Sequence, residues 1–404
     1  MDDKYIELLI EKCTDLNQNK SLFLHYCKEI EEFIGKFIKK VRELGVEDIY
    51  LDCYEPEVIH EFLKTSTSSE IETSSYFDCS IWDEYAKKDA CFLMFETEYP
   101  GLMDDIDPMK IAISSKRKTE TKPIYRKKVE NCQLSWCIAA YPGKKWAEEV
   151  FTGKDSYNKL KQAIYHICML DQEDPMKSWD NCLARNEKIM NYLNQLNLKK
   201  LHYKNSLGTD LELYLPKNYI FSSAKDTKGI VNMPSYEVFT SPDFKKTEGI
   251  VYATRPLIYN GVCIRDFYLR FSNGKVVEYD AKTGKDMLGE ILQNDSQSYY
   301  LGECALVEKN SPIAKMNVVF GTTLIDENAS CHLALGAGFP ECIENGFDCQ
   351  EEKLKELGVN VSKTHVDFMI GTNDLEIKGI TDKEEEIVIF KDGQFDSEFL
   401  KCCL

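Results

Sequence analysis

Over residues 28–45 the chain reads KEIEEFIGKFIKKVRELG, with apolar residues recurring at spacings of three and four before a closing glycine. That spacing predicts an amphipathic helix with one buried stripe. EDIYLDC follows as a short predicted strand, and helical spacing resumes over residues 56–64. The continuous apolar runs ACFLMFE (residues 90–96) and LSWCIAAYP (residues 134–142) predict buried strands. Helices are predicted over residues 144–151, 155–170 and 175–196. This alternation predicts an α/β domain, a mostly parallel sheet wrapped by helices. No G-x-G-x-x-G follows any of these strands, so no nucleotide site is predicted.

From about Lys199 the pattern changes to short strands: KKLHYKN, DLELYLP, EGIVYAT, CIRDFYLRF and KVVEYDA. The Asn273-Gly274 pair in FSNGKVVEY is a strong hairpin signal. Helices are predicted again only over residues 284–293 and 331–335. The stretch SSAKDTKGIVNMP is polar and predicts a loop. The prediction is an α/β N-terminal domain over residues 1–198 and an α+β C-terminal, metal-binding domain over residues 199–404, with the changeover between 198 and 230.

Charge and composition narrow the function classes. The net charge of -18 opposes a nucleic-acid or anionic-membrane partner and suits a protein that gathers cations. No apolar run reaches the roughly 20 residues of a membrane-spanning helix, and the acidic N-terminus MDDKYIELLIEK is unlike a signal peptide. A cytoplasmic location is expected. The 16 cysteines are scattered through apolar contexts without a C-x-x-C, which predicts free thiols in a reducing compartment. The tail KCCL has lysine where a prenylation signal needs cysteine.

Of the six histidines, His25, His60, His166 and His202 show no repeated carboxylate pairing in the sequence and read as ordinary packed or surface residues. His332 lies in ENASCHLALG and His365 in THVDFMIG. On a strand, His365 and Asp367 project from the same face. Glu237 sits between two prolines in MPSYEVFTSP, and Glu303 inside the apolar run YYLGECALV. Buried acids are costly unless a cation accompanies them, and a divalent metal meets that need. Two imidazoles and three carboxylates exceed one tetrahedral zinc. They suit two divalent ions about 3.5–4 Å apart that share a carboxylate and a water; Asp367 is a candidate bridge. Nitrogen and oxygen donors without thiolate favour zinc, cobalt or manganese. Cys304 and Cys331, each beside a candidate ligand, are expected to face away.

PSYEVFTSP, LGECALV, NSPI, DENASCHLALG and THVDFMIG resemble, in order and spacing, the thermophilic aminopeptidase (aminopeptidase T) family of metallopeptidases. The similarity extends through EGIVYATRPLIYNG and LGTDLELYLP, and more loosely to AAYPGKKWAEEVFTG. It implies a two-domain subunit, a two-metal site in the C-terminal domain, and a homodimer whose subunits enclose the site. The implied activity is release of N-terminal amino acids from peptides. The family's metal-binding acid before V-F-T falls on Glu237 and the acid of its L-G-E motif on Glu303. The histidine of its H-x-A-L-G motif falls on His332, and its H-V-D pair on His365 and Asp367. These are the five residues that the ligand chemistry selects.

Two positions depart from the family pattern. A tyrosine commonly stands seven residues after the H-x-A-L-G histidine, where this chain has Phe339. A phenyl ring cannot donate a hydrogen bond to an oxyanion. A second acid commonly precedes the first ligand, where this chain has Tyr236; on an extended segment its side chain points away from that of Glu237. The predicted function is a metal-dependent aminopeptidase that hydrolyses peptides with a free N-terminus through a water activated by two divalent ions. Glu237 or Glu303 is the expected general base. The alternatives are a catalytically impaired peptide-binding relative and another two-metal hydrolase.

Overall fold

A computed structural model describes residues 1–259 and 262–403. Asn260 and Gly261, which end the EGIVYATRPLIYNG stretch, and Leu404 of KCCL lie outside the described residues. The chain forms two compact units, Met1–Trp179 with Lys225–Pro234, and Asp180–Ala224 with Ser235–Leu404.

In the first unit, Phe33, Ile34, Phe37 and Val41 fall on the buried stripe of the helix Glu31–Glu43, after a 3-10 turn over Lys28–Ile30. Five parallel strands form its sheet, in the order Asp48–Tyr54, Ser21–Cys27, Cys91–Glu96, Trp136–Ala140, Asn232–Met233. This is the predicted α/β class. Sequence reasoning missed two of these strands. Ser21–Cys27 has five buried residues in seven and shows no clean alternation. Asn232–Met233 falls in the stretch read as a loop, because two residues carry no periodicity.

The second unit holds two antiparallel sheets. The larger has nine strands, among them Leu198–Lys204, Asp210–Tyr214, Glu248–Tyr252 and the hairpin Val262–Ser272/Lys275–Thr283. That hairpin turns at Asn273 and Gly274, both at positive φ (49° and 78°), as a two-residue turn matching the strand twist requires. The smaller sheet runs His365–Met369, His332–Gly336, Leu301–Leu306, Val238–Thr240, Ser222–Ser223. One of its faces enters the core shared with the larger sheet through Cys304, Leu333 and Phe368. The Phe368 ring lies 5.6 Å from that of Phe267. The period of two then leaves Glu303, His332, His365 and Asp367 on the other face.

One predicted element is wrong in kind. Residues 331–335 were expected to be helical, but His332–Gly336 is a strand between two others. All five of its residues are buried, so neither a period of two nor one of 3.6 is visible. The helix predicted over residues 284–293 is present as Lys285–Gln293. Among the described residues no helix is long and apolar enough to cross a membrane, and no disulfide is formed.

Candidate metal centre

Cross-strand register builds this site. Glu303 pairs with Ala334, and Ala334 with Asp367, so the two carboxylates flank a methyl group in one row across three strands. His332 and His365 stand two residues before Ala334 and Asp367, on the same face. Glu237 arrives at the head of Val238–Thr240, whose Val238 pairs with Leu306.

The structure brings all five predicted residues together, in two groups. Glu237, Glu303 and His332 offer donor atoms within 4.8 Å of one another, and so do Glu303, His365 and Asp367. The carboxylate common to both groups is Glu303; the sequence had suggested Asp367 for that place. His332 Nε2 lies 3.2 Å from Glu237 Oε2, and His365 Nε2 lies 3.2 Å from both Glu303 Oε2 and Asp367 Oδ1. Glu237, Glu303, His332 and Asp367 are all under 9% exposed, whereas the His365 side chain keeps 28% of its surface in solvent.

The imidazole orientations test whether this donor set fits a cation. His365 Nδ1 is 2.8 Å from the Ala337 carbonyl, and His332 Nδ1 is 3.3 Å from that of Ser330. A carbonyl only accepts, so each Nδ1 carries a proton. In a neutral ring each Nε2 lone pair would then face carboxylate oxygens. Only a second proton or a cation relieves that contact. Burial alone would lower the His332 pKa, but the Glu237 hydrogen bond and the neighbouring acids push it up to about 10. Burial would also lower His365, yet Asp367 and Glu303 drive it well above its ordinary value. Burial pushes Glu303 up to about 7 against the pull of His365. For Asp367 burial acts upward, and the His365 charge outweighs it and holds the carboxyl below its usual range. Its buried Oδ1, although near His365, has no hydrogen-bond partner. These groups fit divalent cations.

One acid in the same cluster escaped sequence reasoning. Glu327 is 7% exposed, and burial, then Asp367 and Glu237, push its pKa well above the carboxylate range. It sits in a 3-10 turn within DENASCHLALG, where its polar neighbours give no sign of burial. The fully buried Asn328 beside it accepts from the Tyr236 N–H at 2.6 Å, which fixes the approach to Glu237. Ser235 Oγ donates to Glu237 Oε1 at 2.9 Å.

The remaining candidates fall elsewhere. Cys304 and Cys331 lie in the core on the opposite face, and Cys331 Sγ donates to the Val307 carbonyl at 3.4 Å. His25, His60, His166 and His202 each pair with one aspartate: Asp52, Asp105, Asp171 and Asp210, at 2.6–2.8 Å. The sequence had shown no such pairing. Among the described residues none of these pairs belongs to a group of three candidate ligands.

The strand Leu301–Leu306 carries a bulge between Leu301 and Glu303. A Cβ on Gly302 would fall 2.0 Å from the Ala337 carbonyl oxygen, the atom that orients His365. Gly302→Ala is therefore expected to lose about 3 kcal/mol of stability, the upper end for overpacking, and to weaken metal binding. A denaturant melt with metal titration checks this; an unchanged midpoint would show that the bulge relaxes freely.

A unit with a parallel α/β sheet, and another whose buried strands converge carboxylates and imidazoles in two candidate ligand groups, mark a metalloprotein. The chain belongs to the thermophilic metalloprotease family (M29), whose sequence profile matches residues 2–395. It is 34% identical to Aminopeptidase 2 of Geobacillus stearothermophilus over 406 residues, covering 98% of each chain. It is 31% identical to Aminopeptidase AmpS of Bacillus subtilis (strain 168) over 399 residues, covering 97% of each. Its fold matches the solved structure of wild-type AmpT from Thermus thermophilus with a TM-score of 0.87 and 26% identity, over 98% of each chain.

Proposed function

We propose that this metalloaminopeptidase works with two divalent ions held by Glu237, Glu303, His332, His365 and Asp367, in a catalytic domain formed by the second unit. The observation that carries the number is the grouping of the donors. With Glu327, four buried carboxylates face two imidazoles whose Nε2 atoms point inward. The donors fall into two groups of three that share Glu303, one for each ion, and the carboxylates, once ionised, would balance two dications. Oxygen and nitrogen donors without thiolate favour zinc, cobalt or manganese.

When bound, such ions polarise a carbonyl and acidify a water. The chain's own residues do the rest. Glu303, common to both groups, would serve as a ligand in each. Glu237 or Glu303 accepts the proton of the attacking water and returns it to the leaving amine. Glu327 is a further buried acid in the same cluster. A free substrate amine would dock on a metal or on an acid of this cluster, which restricts cleavage to N-termini. The enzyme acts on peptides in the cytoplasm as a homodimer.

A peptide-binding relative with little turnover is the reading that Phe339 favours, and the complete donor set speaks against it. An aminoacyl anilide separates the two. The metal-loaded protein is expected to release the anilide's amine, and to leave its N-acetylated form intact. No release with any of the three metals would leave the binding role or a two-metal hydrolase of another substrate.

Phe339 packs edge-on to Phe239, with ring centres 5.4 Å apart, and lies 5.0 Å from the His365 ring. Cys342 and Ala305 complete this apolar wall. A hydroxyl added here gains no partner from that wall, and buried there unpaired it would cost about 1–3 kcal/mol. Phe339→Tyr is therefore expected to leave kcat unchanged or lower. A tenfold or greater rise in kcat at constant KM would show instead that the missing hydroxyl limits oxyanion stabilisation, where one donor is worth about 10²–10³-fold.

A further inference from the structure

A cavity of about 540 Å³ opens in the second unit, and its lining includes Thr254, Arg255, Lys309, Ser330 and Gly371. Although the chain has 68 acidic residues against 50 lysines and arginines, no aspartate or glutamate lines this cavity and two cations do. Arg255 Nη1 donates to the Val318 carbonyl and Lys309 Nζ to that of Asn373, each at 3.2 Å. Among the described residues neither takes part in an ion pair, so most of their N–H donors are uncommitted. Asp326, whose carboxyl feels the Arg255 charge, is already held by the Phe320 and Gly321 amides at 2.9 and 2.7 Å. Thr254 Oγ1 is buried with no hydrogen-bond partner.

The walls are set by the backbone. Thr254 N–H donates to the Met369 carbonyl at 2.8 Å, Lys309 N–H to that of Gly393 at 2.8 Å, and Gly371 N–H to that of Cys331 at 3.1 Å. Ala329, Ser330 and Cys331 form part of the lining and are also the residues that link Asn328 to His332. The cavity therefore backs onto the chain segment that carries the candidate centre.

We propose that this cavity binds a small oxyanion, a carboxylate or phosphate group held between the Arg255 guanidinium and the Lys309 ammonium, with the Thr254 hydroxyl as a neutral donor. Charge-assisted hydrogen bonds are roughly twice as strong as neutral ones, so removing either cation should weaken binding about tenfold. The test is isothermal titration of the full-length, metal-loaded protein with three probes: inorganic phosphate, N-acetyl-dialanine as the free acid, and the same compound as its C-terminal amide. The blocked amine keeps the peptide from being cleaved. Saturable binding of phosphate or of the free acid, but not of the amide, is expected, and the probe that binds identifies the source of the anion. Arg255→Gln and Lys309→Gln should each weaken that binding about tenfold, while Glu303→Gln should retain it. Absence of saturable binding by either anion overturns the proposal. So does binding that survives both cation variants, or binding that Glu303→Gln abolishes.

Discussion

Glu303→Gln is expected to remove both ions and nearly all turnover, the largest effect of any single substitution in this protein. Glu303 is the one residue common to the two candidate groups. Glutamine keeps its volume, so the buried strand should stay packed, but an amide offers one neutral oxygen and a donor that repels a cation. The charge of the cluster falls while both imidazoles still point inward. Losing a side chain that merely supports a ligand costs roughly 10–100-fold in affinity or activity. Glu303→Gln should exceed that range for metal affinity and kcat alike. A variant with near-normal kcat and full metal content would place Glu303 outside the centre.

Asp367→Asn should act on one side of the site. Asp367 belongs to the group with His365 and Glu303 only. Its buried Oδ1 has no hydrogen-bond partner and stands 3.2 Å from His365 Nε2. The variant is expected to lose chiefly the ion of that group, and with it turnover, while the group of Glu237, Glu303 and His332 keeps its own. His332→Ala should produce the complementary half-loaded protein. Metal content measured beside kcat distinguishes these outcomes. Simultaneous loss of both ions in Asp367→Asn would return the bridging role to Asp367.

The local chemistry of this site was legible because its spacing is local. His365 and Asp367 lie two residues apart on a strand, and a period of two sends them to one face. The hairpin at Asn273-Gly274 and the helix over Glu31–Glu43 were legible for the same reason. Burial on both faces removed that signal elsewhere. HLALG reads as well for a helix as for a strand, and SLFLHYC lost its alternation in the same way. Cross-strand register is a tertiary fact, so the row Glu303–Ala334–Asp367 and the shared role of Glu303 could not be read from spacing. Glu327 was hidden because its neighbours in sequence are polar while its neighbours in space are acids. The four histidine–aspartate pairs outside the centre were hidden likewise, two joining residues on separate strands and two joining a helix residue to a loop residue.

Elemental analysis of protein loaded with zinc, cobalt or manganese and then freed of excess metal tests the charge balance most directly. Two ions per chain are expected, with aminoacyl anilide hydrolysis lost on chelation and regained as the second ion is added back. Saturation at one ion per chain with full activity, or hydrolysis that persists in metal-free protein, would contradict a two-ion centre.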